Sequence, residues 1–214
     1  MGVRAAARAV LSRTLAGGLA AILLFSSPLA AQKKIERKLP LGMEGALRVV
    51  NMVGSVVVHG WNKDTVLVRG TLAPGDNFFM GGGYTGAKMF VESLNDRDPK
   101  PTRLEIWVPA RVRLWIKTAT ANIDVSDVSG GLERSGAFDF DSHSGSIDIA
   151  IPDRTGATFS VVTIAGSITN NLSRKTPISG RFGRGAELSS EESGGGAKVS
   201  VRTFKGPVTL RRIK

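Results

Sequence analysis

The sequence predicts an all-β fold, a single-domain β-solenoid with coils of about 20 residues. Three observations predict it. One strand–bend–strand motif recurs five times, its copies are spaced at multiples of one step, and glycine is abundant (26 of 214 residues) while aromatics make up only 6%. So much glycine is costly in helix interiors and suits a chain that turns often.

The motif places apolar residues at positions 0, +2, +9 and +11, a small polar residue at +4 and glycine at +7. It reads Leu47, Val49, Asn51, Gly54, Val56, Val58 in its first copy. The second is Leu114, Ile116, Thr118, Ala121, Ile123, Val125, with alanine in the glycine position. Phe138, Phe140, Ser142, Gly145, Ile147, Ile149 form the third. The fourth runs Phe159, Val161, Thr163, Gly166, Ile168, with Asn170 in the last apolar position. Val199, Val201, Thr203, Gly206, Val208, Leu210 complete the set. Apolar residues two apart face one side of a strand. The polar residue and the glycine three further on read as a tight bend, with local hydrogen bonding by Ser, Thr or Asn and a positive φ at Gly.

The copies start 24, 21 and 40 residues apart from Leu114 onward, one step, one step and two. Pro109 and Pro152 each precede a new copy, as expected where a strand ends at a corner. Stacking in register places Lys117 beside Asp141, and Asp124 beside Asp148, the second a like-charge contact. Further strands are expected at Thr65–Val68 and Leu104–Val108. Pro74–Ala87 and Ser173–Ala197 read as loops, and almost no helix is expected. The rival architecture is a β-sandwich of hairpins, which needs no fixed period.

The ends divide the chain into a signal peptide at 1–31, a basic lead-in at 32–45 and the repeat domain at 46–214. Arg4, Arg8 and Arg13 precede the apolar run Leu15–Phe25, followed by Ser26, Ser27, Pro28, Ala30 and Ala31. A basic start, a short apolar core and a small-residue exit make a secretory leader, too short for a membrane span. The expected address is therefore outside the cytoplasm, in the periplasm or at the cell surface, with no membrane span after cleavage. The net charge is +11, and +8 without the three leader arginines. Such a surface favours anionic partners, and export removes nucleic acid from among them. With no cysteine, thiolate metal sites, disulfides and cysteine catalysis are excluded.

The chain offers little catalytic chemistry. His59 and His143 lie far apart without metal-ligand spacing and read as exposed turn residues. The candidate surface residues are Asp124, Asp139, Asp141 and Asp148, with Asp127 nearby, and Trp115. Outward carboxylates on adjacent coils are the raw material of a Ca²⁺ site or an acid/base pair. Trp115, outward at position +1, and Trp107 are surfaces on which a sugar can stack. The glycine runs at 81–83 and 194–196 lack phosphate-loop spacing. No cofactor and no catalytic residue is expected.

The stretches Leu47–Trp61 (LRVVNMVGSVVVHGW), Leu114–Val125 (LWIKTATANIDV) and Ala197–Leu210 (AKVSVRTFKGPVTL) resemble the bacterial putative-adhesin family of β-strand repeats, related to the head domain of auto-transporter adhesins. The resemblance spans about Leu47 to Arg211. It implies an exported, right-handed β-helix-like fold and carries over no catalytic residue. Ala121 and the long Ser173–Ala197 connection depart from the family pattern. The expected function is a non-catalytic binding or structural module of the cell envelope, its partner an envelope protein or a glycan. The alternative is a β-helix enzyme acting on a polysaccharide, which requires a convergent pocket of carboxylates or bases.

Overall fold

The computed structural model describes residues 32–94, 97–129, 137–153 and 155–213. The leader expected at 1–31 lies outside them. Among the described residues, apart from one 3₁₀ turn at Arg181–Gly183, the regular elements are all strands. None of the described helices is long and apolar enough to cross a membrane. Two sheets enclose one hydrophobic core, and the chain is a single all-β domain.

In chain order the strands are β1 (Lys33–Pro40), β2 (Ala46–Val50), β3 (Gly54–Trp61), β4 (Thr65–Leu72), β5 (Asn77–Gly83), β6 (Gly86–Glu92), β7 (Thr102–Pro109), β8 (Arg113–Lys117) and β9 (Asn122–Ser126). There follow β10 (Ala137–Ser142), β11 (Ile147–Pro152), β12 (Ala157–Thr163), β13 (Ile168–Asn170), β14 (Ile178–Ser179), β15 (Ala186–Glu192), β16 (Ala197–Thr203) and β17 (Val208–Ile213). The eight-stranded sheet runs β1-β4-β7-β3-β9-β11-β17-β13, and the nine-stranded sheet runs β14-β15-β12-β16-β10-β8-β2-β6-β5.

Each motif copy places its first strand in the nine-stranded sheet and its second in the eight-stranded sheet. The copies stack in parallel and in register. Leu47, Leu114, Phe138, Val199 and Phe159 form one row of partners. Val56, Ile123, Ile147, Val208 and Ile168 form the matching row opposite. These period-two residues are the core; Phe140 and Phe159 are its largest buried side chains. Burial of each such side chain stabilises the fold by about 1.5–3 kcal/mol.

Three features differ from the sequence reading. The last two copies stack in exchanged order, because β16 and β17 insert between the third copy and the fourth. The two expected loops contribute strands: Pro74–Ala87 contains β5, and Ser173–Ala197 contains β14 and β15. Phe78 and Met80 of β5 alternate inward against the core, which is why that glycine-rich run is extended. The parallel stack is therefore flanked by antiparallel strands, β1, β4 and β5 at one end and β14 and β15 at the other. The segment expected as a basic lead-in forms β1, paired along its whole length with β4.

The bends follow the predicted chemistry with one correction. The Gly206 N–H donates to Oγ1 of Thr203 at 2.9 Å, Gly166 to Thr163 at 2.8 Å, and Gly145 to Oγ of Ser142 at 3.1 Å. Of the motif glycines only Gly54 has positive φ, at 114°. The others are required by close approach. A Cβ on Gly145 would lie 2.0 Å from the Ala121 carbonyl oxygen, and one on Gly206 would lie 2.0 Å from that of Gly145. Pro109 and Pro152 both end strands of the eight-stranded sheet, as expected of corners.

Candidate functional site: the two outer sheet faces

The alternation that buries Leu47 and Val49 turns Arg48 outward, and the same offset turns out Trp115, Asp139 and Ser200. The candidate residues consequently divide between two faces. Trp115, Asp139 and Asp141 stand outside the nine-stranded sheet. Asp124 and Asp148 stand outside the eight-stranded sheet, across the core. The five do not form one site, and among the described residues no group of three or more His, Asp or Glu converges to hold a metal ion.

The outer face of the eight-stranded sheet carries internal ion pairs, although among the described residues Arg103 and Asp124 on it have no partner of opposite charge within 4.0 Å. The Arg69 Nε donates to Glu36 at 3.1 Å, and Arg211 Nε donates to Oδ1 of Asp148 at 2.8 Å. His59 is a strand residue, not the exposed turn residue expected. Its Nδ1 lies 3.0 Å from Oγ of Ser126, its Nε2 3.3 Å from Glu105, and its ring 5.6 Å from that of Trp107. Asp124 is the register partner of Asp148, as the sequence predicts. Burial and the Asp148 charge push the Asp124 carboxyl above the ordinary aspartate range, against the pull of Arg211 and His59. His143 is exposed in its bend, with its ring stacked 5.0 Å from that of Phe204.

The outer face of the nine-stranded sheet is different. Lys88, Arg48, Trp115 and Asp139 are successive register partners across β6, β2, β8 and β10. The Arg48 guanidinium sits 4.4 Å over the Trp115 ring, and the Lys88 ammonium 5.6 Å from the centre of Phe90. Phe90 in turn stacks on Phe79 at 4.8 Å. These side chains, with Arg113, line an open groove of about 880 Å³. Among the described residues no carboxylate lies within 4.0 Å of Arg48, Lys88 or Arg113. Asp139 closes the row and is held by Arg202 at 3.5 Å. Asp141 stands in register between Lys117 and Arg202.

The sequence reading found Trp115 and Asp139 but not their cationic neighbours. Arg48 occupies position +1 of the first copy, the offset of Trp115, so the repeat itself carried that signal. Lys88 belongs to β6, whose sequence does not show the motif.

The architecture is similar to that of a solved "putative cell adhesion protein" from Clostridium sporogenes ATCC 15579. The TM-score is 0.54 at 10% identity, over 86% of this chain and 100% of that one. This is a likeness of fold. A "putative adhesin" from Bacteroides fragilis NCTC 9343 aligns at 10% identity over 86% of this chain and 99% of that one, with a TM-score of 0.24. No family model matches the chain. No curated protein matches it in sequence.

Proposed function

We propose that the chain is an exported, adhesin-like module of the cell envelope, periplasmic or on the cell surface, that binds a partner without catalysis. The stacked units are read as the body of a short β-solenoid, a stiff scaffold that holds a recognition face. The observation that carries the reading is the groove on the nine-stranded sheet. Two of its cations, Arg48 and Lys88, lie against aromatic rings and have no described carboxylate within 4.0 Å, whereas on the opposite face Arg69, itself over the Trp107 ring, and Arg211 are paired with acids. A guanidinium resting on an indole is pre-organised and keeps its N–H edge for a ligand.

Two further observations support it. The leader-like N-terminus points to export, and the structural neighbour from C. sporogenes is named for cell adhesion. The polysaccharide-enzyme alternative requires a convergent pocket of carboxylates; the outward acids divide into two same-face pairs, Asp139 with Asp141 and Asp124 with Asp148, and of these four only Asp139 lines the groove.

The test is a glycan array together with pulldown from envelope fractions, using the full chain and its Trp115→Ala variant. Capture should fall when Trp115 is removed and persist when Thr209, on the opposite face, is changed to alanine. Capture that survives Trp115→Ala and is lost with Thr209→Ala would reverse the assignment of the face. Release of shortened chains from a bound glycan would overturn the non-catalytic reading.

A further inference from the structure

The geometry points to a specific ligand class for this groove: a linear polysaccharide bearing a carboxylate on successive sugar units, laid across the strands from β6 to β8. The inference rests on the reading of this face as the binding surface.

The first argument is charge. Lys88 and Arg48 are direct cross-strand neighbours on one face, an arrangement that costs free energy through like-charge repulsion. No described carboxylate relieves it. Arg113 adds a third positive charge to the same groove. An anionic ligand removes the repulsion and gains charge-assisted hydrogen bonds.

The second argument is spacing. Lys88, Arg48 and Trp115 stand in one row perpendicular to the strands. Neighbouring strands are about 4.8 Å apart, close to the advance of one pyranose unit along an extended chain. A polyuronate laid along the row therefore brings its carboxylates past both Lys88 and Arg48. Phe90 and Phe79 supply apolar surface beside the row for the sugar carbons.

The third argument is the limit of the row. Asp139 stands next to Trp115 on the far side from Arg48. Its negative charge repels a polyanion, so the site ends at Trp115 and spans a short run of sugar units.

The experiment measures binding of the full chain to polygalacturonate, to the same polymer fully methyl-esterified, and to polyglutamate of equal charge. The expected result is binding to polygalacturonate that weakens as salt rises. Binding to the ester should be lost, and binding to polyglutamate should be weaker. Arg48→Ala and Lys88→Ala should each lower affinity for polygalacturonate about fivefold to tenfold. Asp139→Asn should raise it. All three side chains are on the surface, so circular dichroism and melting should match the parent.

Equal binding to the acid and the ester would overturn the inference, as would affinity unchanged by both cation substitutions. Equal binding to polyglutamate would overturn the assignment to a glycan. In each case a partner captured through Trp115 would still leave the binding-module reading standing, so the two failures are distinguishable.

Discussion

The Arg211 guanidinium donates to Oδ1 of Asp148 at 2.8 Å, and Asp148 is the register partner of Asp124 on the neighbouring strand. Two like charges face each other across the ladder between β9 and β11, and a cation from β17 is placed against one of them. The parallel stack thereby brings a third strand to offset a cost created by the other two. The offset is incomplete, because the Asp124 carboxyl remains raised by burial and by Asp148.

That residue gives a pH-dependent prediction. A carboxyl raised in the folded state holds its proton more tightly there than in the unfolded chain. Its contribution favours the fold below the unfolded value and is lost as pH rises through the folded one. At neutral pH the ionised Asp124 therefore costs stability, and Asp124→Asn should gain on the order of 0.5 kcal/mol, a figure reduced for the solvent that reaches the carboxyl. The gain should shrink toward zero in acid, where the parent is itself protonated. Urea denaturation of both proteins at neutral and acid pH measures this. A gain of equal size at both pH values contradicts it.

The bend glycines yield a prediction about packing. A Cβ on Gly206 would stand 2.0 Å from the Gly145 carbonyl oxygen, a backbone atom of the adjacent rung that cannot swing aside. Gly206→Ala should cost about 3 kcal/mol or more, at the severe end of overpacking, or prevent folding. Gly83→Ala is the control: nothing lies within 4 Å of its added Cβ and its φ is not positive. It should stay within about 0.5 kcal/mol of the parent. Thermal and urea melts of the pair decide it, and a tolerated alanine at position 206 would show that the rungs are not in the register described.

The same register shows what the sequence could and could not reveal. Leu47, Leu114, Phe138, Val199 and Phe159 were legible as equivalent because period-two burial writes itself into residue type. The exchange of the last two copies was not. Val199 offers Phe138 and Phe159 the same apolar partner, so local sequence does not fix which strand lies where. The choice is made by β15, which pairs antiparallel with β12 and returns the chain to β16 between β12 and β10. Glycines 81–83 read as a loop, yet an edge strand with one partner tolerates them. The candidate acids were correctly turned outward, but which of the two outer faces each occupied became clear only with the sheet assignments.

The chain has a single tyrosine, which makes one surface contact directly observable. The Tyr84 hydroxyl donates to Oδ2 of Asp64 at 3.1 Å, linking the β5–β6 turn to the residue before β4. That hydrogen bond, then the Asp64 charge, raises the phenol above the ordinary tyrosine value, since ionisation would lose the donor and set two negative charges together. Tyrosinate absorbance on alkaline titration should therefore rise late, and Asp64→Asn should move the midpoint back down. A midpoint unchanged by that substitution would remove the contact.

Thr203 tests whether the small polar residue of the motif is needed for its hydroxyl or only for its size. It is buried, and its Oγ1 accepts from the Gly206 N–H at 2.9 Å inside the bend. Thr203→Val keeps the shape and leaves that N–H without an acceptor where water does not readily reach it. An unsatisfied buried donor costs about 1–3 kcal/mol, more than the added methyl returns through the hydrophobic effect. The variant should melt earlier than the parent, whereas Thr169→Val, exposed in β13, should not. Amide exchange at Gly206 gives the sharper reading: it should accelerate in Thr203→Val while Gly166, capped by Thr163 at 2.8 Å, keeps its protection. Equal protection of both amides in the variant would mean that the hydroxyl is dispensable and that the motif selects for volume alone.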